Sequence, residues 1–347
     1  MLHHHLPLFL SRAAIHGRHA SDMLYSAFRM TLVSLRMAPL RSLWSAPNKE
    51  DRGQQPTRTP RISRRGRLPL LIHYHIFKNA GTSFEWALEQ ALGDGYRSFD
   101  TASPQGFITP RDLVEFSFRH PVVKAISSHQ AGLPAPKIFG REVLTSILIR
   151  DPIARIRSIY AFERMQKASS PGAVKAKKLS FREYVQWRLE TSPILFCNFQ
   201  VYFCSRTQTK SGPPGAQHLE VAISNLDTIS IVGTVARYDQ WLALAEKTLQ
   251  GSIPGIALPP VRQNATAERR STEPAILENL VKELGESTAH YLLQNNALDM
   301  CLHQVADALL TRRLAERGVD LHLLNAYSTA LPDLSSSPGT IPNETGV

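Results

Sequence analysis

Cysteine is scarce. The 347-residue chain holds three, Cys197, Cys204 and Cys301, and no CxxC pair. An odd count without a metal-type spacing points to reduced thiols in a cytosol-like compartment, with a single bridge in a secreted protein as the alternative. Long apolar runs are missing as well. The best N-terminal candidate, "MTLVSLRMAPL", is short and broken by Arg36. That leaves no expected transmembrane segment and no signal-peptide core. Acids are thin in the first 68 residues, where Asp22, Glu50 and Asp51 face twelve Lys/Arg. Of the formal net charge of +11, this segment therefore carries +9, which leaves +2 for the remainder. The basicity belongs to an extension, so high net charge gives no argument for a nucleic-acid-binding face. An Arg-rich, acid-poor start has the look of an organelle transit peptide. A poorly ordered extension of a soluble, cytoplasmic protein, or a start codon assigned too early, is the simpler expectation.

What is present begins at Leu68. "LPLLIHYHIF" reads as a buried strand and residues 82–92 as a helix with Phe84, Leu88, Ala91 and Leu92 on one face. Further strands are expected at 121–129, 143–149 and 227–235, and helices at 152–165 and 239–249, with Asp239 as N-cap. Residues 274–316 are helical in pattern. The stretch 166–180 reads as a flexible basic loop and 205–217 as a Pro/Gly-rich turn. Strands alternating with helices argue for a parallel sheet covered on both faces. The expected organisation is a basic extension over 1–68, one domain over 69–325 and a disordered tail over 326–347.

The junction "HIFKNAGTS" places Lys78, Gly81, Thr82 and Ser83 between the first strand and its helix. A helix N-terminus presents unpaired N–H groups and the positive end of the helix dipole, so such a turn holds an anion well. Gly81 permits close backbone approach, Thr82 and Ser83 add hydroxyls, and Lys78 adds a full charge. The Walker arrangement GxxxxGK[ST] is absent: the lysine precedes the glycine and the first glycine is missing. An ordinary turn in which Thr82 caps the helix is the alternative. A second junction, "SILIRDPIARIRSIYAF" (146–162), has Arg150 at a strand's carboxyl end, Asp151 placed to cap, Pro152 at the first helical position and Ser158 two turns in. Arg150 and Ser158 are candidates for a second phosphate, since a guanidinium bonds phosphate oxygens in pairs. A carboxylate partner for Arg150 and a solvent-facing Ser158 would be the plain reading.

Together the two junctions resemble the paired signatures of the sulfotransferase superfamily that uses 3′-phosphoadenosine 5′-phosphosulfate (PAPS). The likeness is nearest to the carbohydrate branch that includes the heparan-sulfate 2-O and 6-O enzymes and bacterial homologues. There the first motif reads roughly H-x-P-K-[TA]-[AG]-[GS]-T-S and the second R-D-P-x-x-R-x-x-S-x-Y. The second is matched through Arg150, Asp151, Pro152, Arg155, Ser158 and Tyr160; the first departs at Phe77 and Asn79. Similarity extends to "FCNFQVYFCS" with Asn198 and Gln200, to "IVGTVARYDQWLALAEKTL", and to "QNNALDMCLHQVADALL" with Asn295 and Asp299, covering about residues 69–312.

The resemblance implies a P-loop-like three-layer α/β sandwich with a central parallel β-sheet flanked by helices. It implies an enzyme that takes PAPS as co-substrate, needs no metal, and sulfates a hydroxyl, on a glycan or another acceptor. Lys78, Asn79, Ala80, Gly81, Thr82 and Ser83 would hold the 5′-phosphosulfate, and Arg150 and Ser158 the 3′-phosphate. Arg237 and Tyr238 match a segment near the nucleotide, with packing at a helix start as their alternative. Lys78 would neutralise charge on the leaving phosphate. His129, ending the strand in "KAISSHQAGLP", matches the position of the catalytic base, with Ser128 where relatives carry glycine. His73 and His75 share a face of the first strand, opposite Tyr74; His75 matches the motif histidine, for which a structural role is expected. Arg269 and Arg270 fall in a loop that resembles one closing over the nucleotide. Two rivals stand beside this reading: a nucleotide kinase or triphosphatase on the same chassis, and a catalytically decayed nucleotide-binding protein.

Overall fold

The structure is a computed structural model that describes residues 68–259 and 273–319. The expectations for 1–67, for the loop with Arg269 and Arg270, and for the tail at 326–347 lie outside the described residues. In chain order the elements are β1 (Leu68–Tyr74), α1 (Gly81–Leu92), β2 (Tyr96–Ser98), α2 (Pro110–Arg119), β3 (Ala125–Ser128), β4 (Arg141–Ile149), α3 (Pro152–Met165), α4 (Pro171–Lys178), α5 (Phe181–Thr191), α6 (Pro193–Phe196), α7 (Phe199–Ser205), α8 (Ala216–Thr228), β5 (Ile231–Thr234), α9 (Tyr238–Gln250), α10 (Glu273–Leu284), α11 (Glu286–Asn295) and α12 (Ala297–Glu316).

The five strands form one all-parallel sheet in the order β2-β3-β1-β4-β5. β1 lies at the centre, with Leu71 opposite both Ala125 of β3 and Leu144 of β4. Its residues Leu70, Leu71, Ile72 and Tyr74 are all fully buried. A strand apolar on both faces needs cover on both faces, which is why "LLI" reads as a run and not as an alternation. On one face Leu71, Leu144, Leu148 and Ile231 pack against Phe84 and Leu88 of α1, Trp241 and Leu244 of α9, and Leu310 and Leu314 of α12. Each such side chain contributes about 1.5–3 kcal/mol on burial. Gly233 in β5 makes room for the largest of them: a Cβ there would stand 2.7 Å from Trp241. A second apolar cluster joins α3, α5, α10 and α11 through Ile153, Ile156, Tyr184, Leu280 and Leu292.

Several sequence expectations are corrected. The strand expected at 121–129 is confined to Ala125–Ser128; Pro121 and Val122 form a turn, and Pro121 has no N–H for a ladder. The strand expected from 227 starts at Ile231, because residues 227–228 finish α8, whose Leu219, Ala222, Ile223 and Leu226 bury one face. The "flexible loop" at 166–180 contains α4, which starts at Ser170 accepting from the Ala173 N–H, with Pro171 first in the helix. Asp239 is not the N-cap of α9, which begins one residue earlier and takes Arg237 in that place. The three cysteines are free thiols, and burial raises each of them above the ordinary range.

Candidate functional site

In a parallel sheet all strand carboxyl ends share one edge. Here β1 sends its chain to the β2 side and β4 sends its chain to the β5 side, so the strand order reverses between these two neighbours. Crevices at such switch points are where open α/β sheets bind ligands. The β1–α1 and β4–α3 junctions, with Lys78 and Arg150, form two walls at this switch point.

The first wall is bent by two residues in the left-handed region, Lys78 at φ 64° and Ala80 at φ 61°. Neither is glycine or asparagine, and each such residue costs on the order of 1–3 kcal/mol. The curl delivers the chain to Gly81 at the start of α1, whose N-cap is Ala80 and receives no side-chain cap. Lys78 Nζ lies 3.9 Å from the centre of the Phe162 ring on α3, and Phe77 meets Phe162 edge-on. The side chain of Asn79 is fully buried and turned away from the curl. Its Nδ2 donates to Leu148 O at 2.8 Å and to Gln200 Oε1 at 2.7 Å. Gly81 is required by a neighbour: a Cβ would fall 2.1 Å from the His75 ring.

The second wall joins the first directly. Arg150, 8 % exposed, donates from Nη1 to the Lys78 carbonyl at 3.1 Å. Asp151 caps α3 as the sequence suggests, accepting from the Ala154 N–H at 2.7 Å with Pro152 at the first position. Arg155 is fully buried: it donates to Phe77 O and Leu195 O and covers the Phe199 ring, and burial pulls its pKa down to about 9. Ser158 is half-buried one turn beyond Arg155. Behind both walls stands Gln200, and behind Gln200 stands Asp299. Asp299 accepts from the N–H groups of Gln200 and Val201, at 3.1 and 2.8 Å. Burial raises the Asp299 carboxyl against these donors and against Arg155. Asn296, not its neighbour Asn295, ties the α7 segment to α12 by accepting from Asn198 N–H, whereas Asn295 donates to Tyr291 O of its own helix.

On the other side of β1, His129 follows β3. Asp100 takes its ring through Nδ1 at 2.9 Å and its backbone N–H at 2.9 Å, and also accepts from Ser128 Oγ. Partial burial works against the Asp100 carboxylate, but the bonds from His129 and Ser128 prevail and hold it below the usual range. An ionised carboxylate must accept, so Nδ1 carries the proton and Nε2 of the neutral ring keeps its lone pair. The His129 ring stacks on His75 at 3.9 Å, and His75 Nδ1 is held by Glu85 at 2.9 Å. His73 lies 5.6 Å further in, bonded to Ser146 Oγ, and is driven down to a pKa of about 3 by burial. Asp100 and Glu85 were not singled out from sequence; both partners are distant in the chain, and no local spacing announces them. Adjoining Asp100, Phe99, Thr101, Phe107, Ile108, Phe116 and Arg119 line an open hollow of about 570 Å³.

Arg237 and Tyr238 sit past β5. Arg237 pairs with Asp307 at 3.1 Å and bonds Gln240 and Thr311, while Tyr238 is buried beside Trp241. Both stand at the start of α9. Among the described residues no cluster of three His, Cys, Asp or Glu is arranged to hold a metal, and no helix is long and apolar enough to cross a membrane.

No protein-family model matches the chain. The chain is similar to an uncharacterized protein of Archaeoglobus fulgidus, with 26% identity over 239 residues, which is 67% of this chain and 94% of that protein.

Proposed function

We propose that this protein is a PAPS-dependent sulfotransferase acting on a hydroxyl, on a carbohydrate acceptor. The observation that carries the reading is the contact between Arg150 and the Lys78 carbonyl across the switch point. It joins the turn that carries Lys78 and opens α1 to the Arg150 guanidinium at one switch point, with His129 two strands from Arg150. The donor set suits an adenosine that is phosphorylated at two positions. Catalysis of such transfers rests on positioning and charge stabilisation. The acceptor oxygen forms a bond to sulfur, the bond from sulfur to the bridging phosphate oxygen breaks, and the acceptor proton goes to His129 Nε2. Asp100 holds the neutral ring in the tautomer with its proton on Nδ1 and stabilises the imidazolium that results. Lys78 receives the negative charge of the departing phosphate. Its ammonium lies over the Phe162 ring of α3.

Calorimetry with adenosine 3′,5′-bisphosphate, with and without magnesium, tests this, followed by transfer from labelled PAPS to a glycan panel. Metal-free binding that is lost in Arg150→Ala, together with transfer, is expected. A magnesium requirement would point to the nucleotide kinase or triphosphatase, and binding without transfer to any acceptor to the decayed frame.

A further inference from the structure

Two histidine–carboxylate pairs lie face to face at this site, and the reaction as described uses one of them. His75 is wedged. One edge of its ring, with Nε2 and Cδ2, presses on Gly81, close enough that a methyl there would stand 2.1 Å away. One face stacks on His129 at 3.9 Å with 30° between the planes. Nδ1 is fixed by Glu85 Oε1, which also accepts from Ser127 Oγ on β3. His73 closes the inner side at 5.6 Å. Burial alone would raise the Glu85 carboxyl, yet His75 and Ser127 hold it far below the usual range, so it is an anion in this wedge. A ring gripped on four sides cannot turn, and it forms the floor on which His129 lies.

We propose that His75 and Glu85 form a positioning pair for His129, with Glu85 locking the His75 ring between Gly81 and the base so that the base keeps the orientation its bond to Asp100 requires. His75 touches both the anion-holding turn and the base. The inference rests on His129 being the base.

The test is a double-variant cycle on Glu85→Ala and His75→Asn, the second of which keeps an N–H for Glu85 but deletes the ring. Each is expected to lower kcat by about 30-fold or more, with the acceptor KM and the Kd for adenosine 3′,5′-bisphosphate within about threefold of the parent. The double variant is expected to be no worse than His75→Asn, because both act through one contact. Glu85→Gln, which still offers an oxygen to His75 Nδ1–H, is expected to recover most of the rate. Unchanged kcat, losses that multiply, or affinity lost in step with kcat would overturn the proposal. A second arm needs no turnover: ¹⁵N spectra of neutral His129 should show a single Nδ1–H tautomer in the parent and a mixture in His75→Asn. A single tautomer in both overturns it, even if the parent transfers no sulfate.

Discussion

The side chain of Gln200 pairs with the backbone of Arg150 as a neighbouring strand would. Arg150 N–H donates to Gln200 Oε1 at 2.9 Å, and Gln200 Nε2 donates back to Arg150 O at 2.8 Å. The same Oε1 accepts from Asn79 Nδ2. One buried amide therefore fixes the exit of β4 and the curl after β1, and Asp299 anchors it from α12. A site made of two loops needs such a common brace, because each loop alone is a strained or irregular backbone with nothing beneath it.

Replacement of Gln200 by Leu keeps the volume and removes every bond made by the side-chain amide, leaving only the backbone N–H bond to Asp299. It leaves the Arg150 N–H and carbonyl buried and unpaired, at about 1–3 kcal/mol for each group. Urea unfolding should show a total loss of about 2–5 kcal/mol. Affinity for adenosine 3′,5′-bisphosphate should fall about tenfold or more, since both walls loosen together. Unaltered stability would mean that water substitutes for the amide.

Asp100→Asn probes the base. An asparagine amide can donate to Nδ1 and so favours the tautomer with the proton on Nε2, which is the wrong one for accepting a proton. The expected loss in kcat is about 10²–10³-fold with little change in nucleotide affinity. A variant with near-parental kcat would remove Asp100, and with it the proposed role of His129.

The parallel sheet, the strand at 143–149 and the helix at 152–165 were readable because burial writes them locally: an apolar run, then Asp151 and Pro152 as a start signal. The two strand–turn–helix junctions were readable for the same reason. Their support was not. Asp100, Glu85 and the bond from Arg150 to Lys78 O join residues 29, 10 and 72 positions apart, and no periodicity encodes such pairs. Nor does any local pattern announce what the Asn79 side chain does: its amide donates to Leu148 O and Gln200 Oε1. α4 and β2 were missed because they are short, and α4 buries only Gly172, Ala173 and Ala176, too small a face to register as a hydrophobic stripe.

Gly81→Ala separates helix propensity from packing. At the first turn of α1 alanine is favoured over glycine by up to about 1 kcal/mol. The new methyl, however, would meet a His75 ring that Glu85 and His129 hold from other sides, at a cost of about 1–3 kcal/mol. The collision should win, giving a lower melting temperature than the parent. Adding His75→Ala to Gly81→Ala should raise the melting temperature above that of His75→Ala alone, because only the propensity term remains. Strict additivity of the two substitutions would show that they do not touch.

His73 makes a pH-dependent contribution whose sign follows from its burial. Desolvation, with His75 next, takes its pKa from 6.5 to about 3, against a weaker opposing pull from Glu85. The folded protein thus keeps this ring neutral where the unfolded chain would protonate it. The associated stability is complete above pH 6.5 and drains away as pH falls toward 3. Between pH 7 and pH 5 the loss should be about 2 kcal/mol, from about 1.4 kcal/mol per proton per pH unit. His73→Phe fits between Phe84 and Trp241, 4.9 and 6.2 Å from the present ring, but leaves Ser146 Oγ without its imidazole partner. Its stability at pH 7 should accordingly be lower than the parent's, while its decline from pH 7 to pH 5 should be shallower by those 2 kcal/mol. Urea midpoints of both proteins at the two pH values decide the matter: parallel declines would show that His73 carries its proton in the folded state as readily as in the unfolded chain.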